Sequence, residues 1–240
     1  MLKNITSKAL TSSLYVLRPW LTILIAVMAG WGLWAALLDS PQDYQQFQSV
    51  RILYIHVPAA WLAMALYFGI GVGSLIGLIT GNRLYVVMAQ ALAPIGLTYT
   101  LICLATGMIW GQPIWGTFWV WDARLTSMAI LAFLYLGYIM IHAQSDPYHT
   151  SDRAGAMIAL LGCINLPIIK WSVDWWTTLH QPASILRQGG PALDNSMLLP
   201  LAVMFVAYAA LTLLLWLMQC ESLILKQKVY RLMLQAAARD

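Results

Sequence analysis

Residues 57–80 read VPAAWLAMALYFGIGVGSLIGLIT, a run of 24 positions without a charged side chain. The hydrocarbon core of a bilayer is about 30 Å thick and takes about 20 apolar residues per helix, so this run is long enough to cross. Similar runs recur on both sides of it, and spans are expected near 19–38, 57–80, 86–109, 125–143, 154–170 and 195–220. Composition agrees with that reading. Of 240 residues, 61% are hydrophobic and 9% are charged, against roughly 45–50% and 25% in a soluble domain. The expected fold class is all-α: a polytopic membrane protein with six transmembrane helices forming a single transmembrane domain over 1–240. Such spacing leaves no room for a separate soluble domain.

The first span follows 18 residues that contain Lys3, Lys8 and Arg18. It is longer than the 7–15 residue apolar core of a cleaved signal and is read as a retained helix. Six crossings put both termini on one side. Lys3, Lys8, Arg18, Arg83, Arg153, Lys226, Lys228, Arg231 and Arg239 gather there, whereas the opposite side holds only Arg51, Arg124, Lys170 and Arg187. By the positive-inside rule the termini are cytoplasmic. The net charge of +4 is then mostly a topology signal, not a nucleic-acid footprint.

Within the second span, Gly69, Gly73 and Gly77 recur every four residues, the pattern of a close-packing face for a neighbouring helix. Pro58 is read as lying in the first turn of a helix that begins at Val57, where its missing N–H costs nothing. Pro94 and Gly96 in the third span, and Asn165 and Pro167 in the fifth, are expected to interrupt helices whose freed backbone groups need partners. Asn165 reads as interhelical glue. The tail after Glu221 is expected to be helical at first and then frayed. Cys103, Cys163 and Cys220 form neither C-x-x-C nor C-x-x-C-H, so they signal no redox pair and no covalent haem attachment to this chain; they read as buried apolar thiols.

The tryptophans are unevenly placed. Trp31, Trp34, Trp61, Trp110, Trp115, Trp119, Trp121, Trp171, Trp175 and Trp176 lie on or toward the outer side, leaving Trp20 and Trp216 near the inner one. An aromatic belt occupies both interfaces, so ten against two calls for an outward binding platform. The densest part is WGTFWVWD, residues 115–122, inside an outer loop expected over 110–124. As a strand it would align Trp115, Thr117, Trp119 and Trp121; as a helix it would align Trp115, Trp119 and Asp122. Either makes an aromatic shelf. Arg124 could pair with Asp122 or receive a ligand carboxylate in a bidentate fork. Farther on, residues 174–181 could form a short interfacial helix closed by Pro182, with Trp176 and His180 on one face.

Of the four histidines, His142 and His149 fall at the inner side and read as ordinary solvated residues. His56 and His180 sit at the outer side in separate segments, each near tryptophan. Two neutral imidazoles meeting across an aromatic surface suit the two axial positions of a haem iron. Zinc fits less well, since no nearby cysteine or third histidine completes its usual ligand set. A porphyrin is flat and largely apolar, with two carboxylates on one edge. Trp115, Trp119, Trp121 and Trp176 would cover its rings, His56 and His180 would hold the iron, and Arg124, Arg51 and Arg187 are candidates for the propionates. Asp122 would orient an arginine.

These residues carry a resemblance. WGTFWVWDARLTS resembles the tryptophan-rich WWD signature of the haem-handling membrane proteins of cytochrome c maturation. RILYIHVPAAW and NLPIIKWSVDWWTTLHQ resemble the flanking histidine segments of one branch, the cytochrome c maturation protein C or haem exporter protein C family. The match covers roughly 51–181, without departures inside these motifs. It implies non-covalent haem b bound at the periplasmic face of a bacterial inner membrane through the WWD segment and two histidines, matched by His56 and His180. It further implies partners: an ATP-binding-cassette pair of ATPase and membrane subunits, a small single-span protein, and a membrane-anchored haem chaperone that takes the haem covalently on its own histidine. The implied role is haem delivery rather than catalysis, extending at most to assistance of that covalent transfer. Length argues against the longer WWD synthetases. Two other classes remain in view: a bis-histidine cytochrome exchanging electrons with quinone, and a small-solute permease. Paired histidines at the rim rather than in the bundle weigh against the first, and the lack of intramembrane charges or of matching broken helices weighs against the second. No G-x-x-x-x-G-K-[ST] motif occurs, so ATP dependence would come from a partner.

Overall fold

A computed structural model of the chain describes residues 2–144, 151–180, 185, 187 and 189–238. His149, Gln181, Pro182 and Arg239 lie outside them. The described residues form helices α1 (Leu2–Trp34), α2 (Leu53–Thr80), α3 (Arg83–Trp115), α4 (Ala123–Gln144), α5 (Ser151–Cys163), α6 (Asn165–Trp175) and α7 (Asn195–Ala237). A π-helical turn, Ala35–Asp39, extends α1, and a 3-10 turn, Gln48–Ile52, leads into α2. Among the described residues, six helical stretches are long and apolar enough to cross a membrane: Val16–Asp39, Gln48–Thr80, Arg83–Trp115, Ala123–Ala143, Asp152–Trp175 and Asn195–Ala237.

Several boundaries differ from the sequence reading for local reasons. The helix carrying Pro58 starts at Leu53, one turn earlier, so His56 belongs to its opening turns instead of preceding it. The third span continues to Trp115 and stops where Gly116 turns left-handed (φ 75°), its N–H donating to Gln112 O at 2.9 Å. The loop is correspondingly shorter than 110–124. WGTFWVWD is neither strand nor helix: Trp115 closes α3, and residues 116–122 are irregular. The fifth span breaks at Ile164 and resumes at Asn165, whose Nδ2 donates to Ser127 O at 2.9 Å, the interhelical bond expected of it. Helix α6 then ends at Trp175, and Trp176 is extended (φ −133°, ψ 155°), so the interfacial helix over 174–181 does not form in its described part. The tail after Glu221 is helical at first, as expected, and the helix runs farther than a frayed end would, with α7 reaching Ala237.

Polar side chains cap the turns. Asn82 Oδ1 accepts from Leu84 N at 3.1 Å at the start of α3. Asp122 Oδ1 accepts from Leu125 N at 2.8 Å ahead of α4, and Asp194 Oδ1 accepts from Ser196 N at 2.9 Å ahead of α7. Each satisfies a donor that the first helical turn leaves without an intrahelical partner.

The glycine face packs as its spacing predicts. A methyl group on Gly69 would lie 3.1 Å from Leu92, and one on Gly73 would lie 3.1 Å from Ala89 Cβ and 3.2 Å from Tyr85 O. One on Gly77 would lie 2.6 Å from Val86. Helices α2 and α3 therefore touch nearly backbone to backbone. Pro94 and Gly96 do not interrupt α3; Gly96 makes room for the ring of Tyr135, as Gly162 does for Tyr67. Those buried tyrosines bridge helices: Tyr135 Oη donates to Ala63 O at 2.6 Å, and Tyr67 Oη donates to Ile158 O at 3.0 Å. Lipid supplies little hydrophobic drive for helix association, so close packing and interhelical hydrogen bonds must hold the bundle. Gly73→Leu should separate α2 from α3 at a cost of about 1–3 kcal/mol, the usual range for an overfilled core, read as a lowered thermal midpoint of the detergent-solubilised protein.

Candidate functional site

His56 lies on the face of α2 that meets α3. A methyl group added to Gly107 would fall 3.1 Å from the imidazole Cε1, so that glycine gives the ring its space. Trp110, one turn on, meets the same ring edge-on with centroids 5.6 Å apart. The Thr106 hydroxyl donates to Ile102 O at 2.6 Å. Its oxygen, 3.0 Å from His56 Nδ1, must then act as the acceptor. This assigns the hydrogen to Nδ1 and leaves Nε2 with its lone pair, 3.9 Å from the Cys103 thiol.

His180 reaches the same place from the segment after α6. Its Nδ1 is 2.7 Å from Asp122 Oδ2, and Trp115 packs edge-on against it with centroids 4.8 Å apart. Asp122 is buried (8% exposed), and its other oxygen caps α4. A carboxylate can only accept, so it fixes the Nδ1–H tautomer and again presents Nε2 as a lone pair. Burial pushes the His180 pKa below its ordinary value, opposed by the hydrogen bond to Asp122. That direction favours the neutral imidazole, the form that ligates a metal.

Both histidines line one cavity of about 680 Å³ at this end of the bundle, within the roughly 300–1,000 Å³ of small-molecule sites. Trp61, Trp110, Trp115 and Trp171 supply aromatic wall, and Arg124 and Lys170 supply positive charge. Arg124 donates to Lys170 O at 3.3 Å, while its Nε is buried with no hydrogen-bond partner among the described residues. A buried donor without an acceptor is costly, and a ligand carboxylate would satisfy it. The residues fit a flat, apolar metal complex carrying anionic groups: His56 and His180 could hold the metal, the four tryptophans could cover the rings, and Arg124 and Lys170 could meet the carboxylates.

A family model described as heme exporter protein C matches residues 2–235. The chain belongs to the heme exporter protein C family. It is 46% identical to heme exporter protein C of Bradyrhizobium diazoefficiens over 221 residues, 92% of this chain and 84% of that one. Against heme exporter protein C of Escherichia coli K12 the identity is 42% over 209 residues, covering 86% of this chain and 83% of the relative. Against that of Haemophilus influenzae it is 37% over 223 residues, covering 93% and 91%.

Within this member of the heme exporter protein C family, His56, His180, Trp115 and Arg124 meet at the cavity as the sequence suggests. The other nominated residues do not line it. Trp119 and Trp121 pack edge-on against each other, 5.4 Å between centroids, and Trp121 is 80% exposed. Trp176 packs on Trp175. Arg51 is committed to the first loop, donating to Leu37 O at 2.5 Å and Ser40 O at 2.8 Å. Arg187 is exposed. Asp122 orients a histidine, not an arginine. Cys103 is buried as expected, yet it stands beside His56, where no nearby cysteine was anticipated.

Sequence reasoning counted Trp61, Trp110 and Trp171 in the outward platform without assigning them to the site, and missed Lys170 and Gln46. The signal for Trp110 was available: Gly107, Trp110, Gly111 and Ile114 share a face if α3 is carried one turn farther, and all four line the cavity. Gln46 had no such signal. It reaches the site because a short turn, bridged between Asp43 and Phe47, aims its Oε1 at Trp110 Nε1, 2.9 Å away. Trp110→Ala should weaken hemin binding about tenfold, from roughly 1.5 kcal/mol of lost aromatic contact. Trp121→Ala should leave affinity within about twofold, and fluorescence-quenching titrations compare the two.

Proposed function

We propose that this protein holds haem b non-covalently in the outer-rim cavity, with His56 and His180 as axial ligands, and passes it to a membrane-anchored haem chaperone in cytochrome c maturation. One observation carries the reading. Two histidines from distant segments line one aromatic cavity, and each has Nδ1 engaged by a hydrogen bond that leaves Nε2 to donate. When bound, the iron supplies the coordination bonds that hold the cargo in place. The chain's own residues do the rest: tryptophans exclude water from the ring faces, and Arg124 and Lys170 neutralise the propionates.

Membership in the heme exporter protein C family supports haem as the cargo. The cavity lies at the end of the bundle that the distribution of basic residues places outside, which supports a periplasmic site in the inner membrane with cytoplasmic termini. Work with an ATP-binding-cassette transporter and a small single-span subunit belongs to the same reading, because ATP-driven steps need a partner's nucleotide site. The protein acts as a delivery component and not as a catalyst: its groups bind and orient a cargo that leaves unchanged or becomes attached to the receiving chaperone.

His56→Ala and His180→Ala should each convert the six-coordinate, low-spin absorption spectrum of the hemin-loaded protein to a five-coordinate, high-spin one. Each should also reduce covalent loading of the chaperone at least tenfold, in line with the loss of a metal ligand or its outer partner. Wild-type spectra and normal loading in both variants would exclude the ligand assignment.

A further inference from the structure

The two histidines are held by different chemistry on the side away from the lone pair. His180 donates Nδ1–H to a carboxylate at 2.7 Å. That carboxylate is buried and held by a helix N-terminus through Leu125 N at 2.8 Å. His56 donates to a neutral hydroxyl at 3.0 Å, whose own hydrogen is already spent on Ile102 O. Charge-assisted hydrogen bonds are shorter and roughly twice as strong as neutral ones, and a carboxylate behind a ligating imidazole raises its basicity. The lone pairs differ as well. Nε2 of His56 faces the Cys103 thiol at 3.9 Å, a weak donor that competes for the same electrons.

We propose that the two axial histidines are unequal by construction. Asp122 makes His180 the strong, retained donor. Thr106 and Cys103 make His56 the weak one, whose bond yields first when the cargo is handed on. Thr106 and Asp122 are positioning residues: each acts on iron only through the histidine it holds. The inference rests on the haem reading of this cavity and assigns an order of release to it. A carrier that must both hold and surrender its cargo gains from one bond that opens readily while the other keeps the ring in register.

The test uses the full chain in detergent, loaded with hemin, reduced, and exposed to carbon monoxide, which displaces the weaker axial ligand. Resonance Raman spectra of the photolysed adduct then read the iron–histidine stretch of the ligand that stayed. Asp122→Asn should lower that stretch, because asparagine keeps the N-cap through its oxygen while the group facing His180 Nδ1 becomes an uncharged amide NH2 that cannot accept from it. Thr106→Val should leave it at the wild-type frequency yet raise the apparent carbon monoxide affinity about tenfold, the lower end of the effect of losing a histidine's outer partner. Thr106→Ser, which keeps the oxygen, should restore the wild-type affinity, and Cys103→Ala should lower it. A stretch that follows Thr106, responds equally to both positions, or responds to neither overturns the inequality. Should Asp122→Asn fail to fold, unchanged affinity in Thr106→Val overturns it alone. Hemin-loaded wild type without a six-coordinate, low-spin spectrum would instead remove the haem reading on which the inference stands.

Discussion

The near backbone-to-backbone approach of α2 and α3 is the constraint on which the rest depends. Lipid offers two apolar helices no reason to associate beyond packing, so the glycines that let them close also fix their relative register. The contacts of Gly77 with Val86, Gly73 with Ala89 and Gly69 with Leu92 follow one antiparallel register, and His56 against Gly107 continues it at the far end. His56 and Gly107 are thus the last pair of a helix interface. The His56 ring is held by backbone proximity, with Thr106, Gly107 and Trp110 around it, and not by a flexible loop.

The other half of the site is built on the opposite plan. His180 follows the end of α6 in a stretch whose described residues are irregular, and it is positioned by one short bond to Asp122 and by the ring of Trp115. Asp122 can hold a partner because its second oxygen is already fixed to the first turn of α4. A buried carboxylate is expensive without such partners. A helix end and an imidazole together satisfy it, and the loop that carries it needs no regular structure of its own. The tyrosines deeper in the bundle obey the same rule, each spending its hydroxyl on a backbone carbonyl or a hydroxyl across a helix interface.

Much of this was legible along the chain. Apolar runs gave the six spans, the four-residue glycine spacing gave a close-packing face on α2, and Asn165 gave an interhelical bond, while the fold alone supplied α3 and α4 as their partners. The histidines stood out by chemistry and by side of the membrane. The tryptophans were harder to sort. Density pointed to Trp119 and Trp121, yet the cavity is lined by Trp61, Trp110, Trp115 and Trp171. The reason is geometric. A tryptophan on a helix face is carried toward a neighbouring helix by the packing of that helix, whereas one in the irregular stretch after Gly116 points where the turn sends it. Ending the third span at 109, on bilayer thickness alone, put Trp110 in a loop and hid the face it shares with Gly107 and Gly111.

By itself the sequence determined the class of molecule, the number of crossings, the expected side on which the chemistry lies, and the pair of histidines worth joining. These follow from composition and periodicity, which act along the chain. Tertiary structure alone decided which tryptophans form walls, that Arg124 and Lys170 rather than Arg51 or Arg187 face the cavity, and that Asp122 serves a histidine. It also put Thr106 behind His56 and Cys103 beside the nitrogen that carries its lone pair. Such pairings depend on which helix faces meet and on where a single glycine bends the backbone, and residues 124 positions apart, as His56 and His180 are, carry no local trace of that meeting.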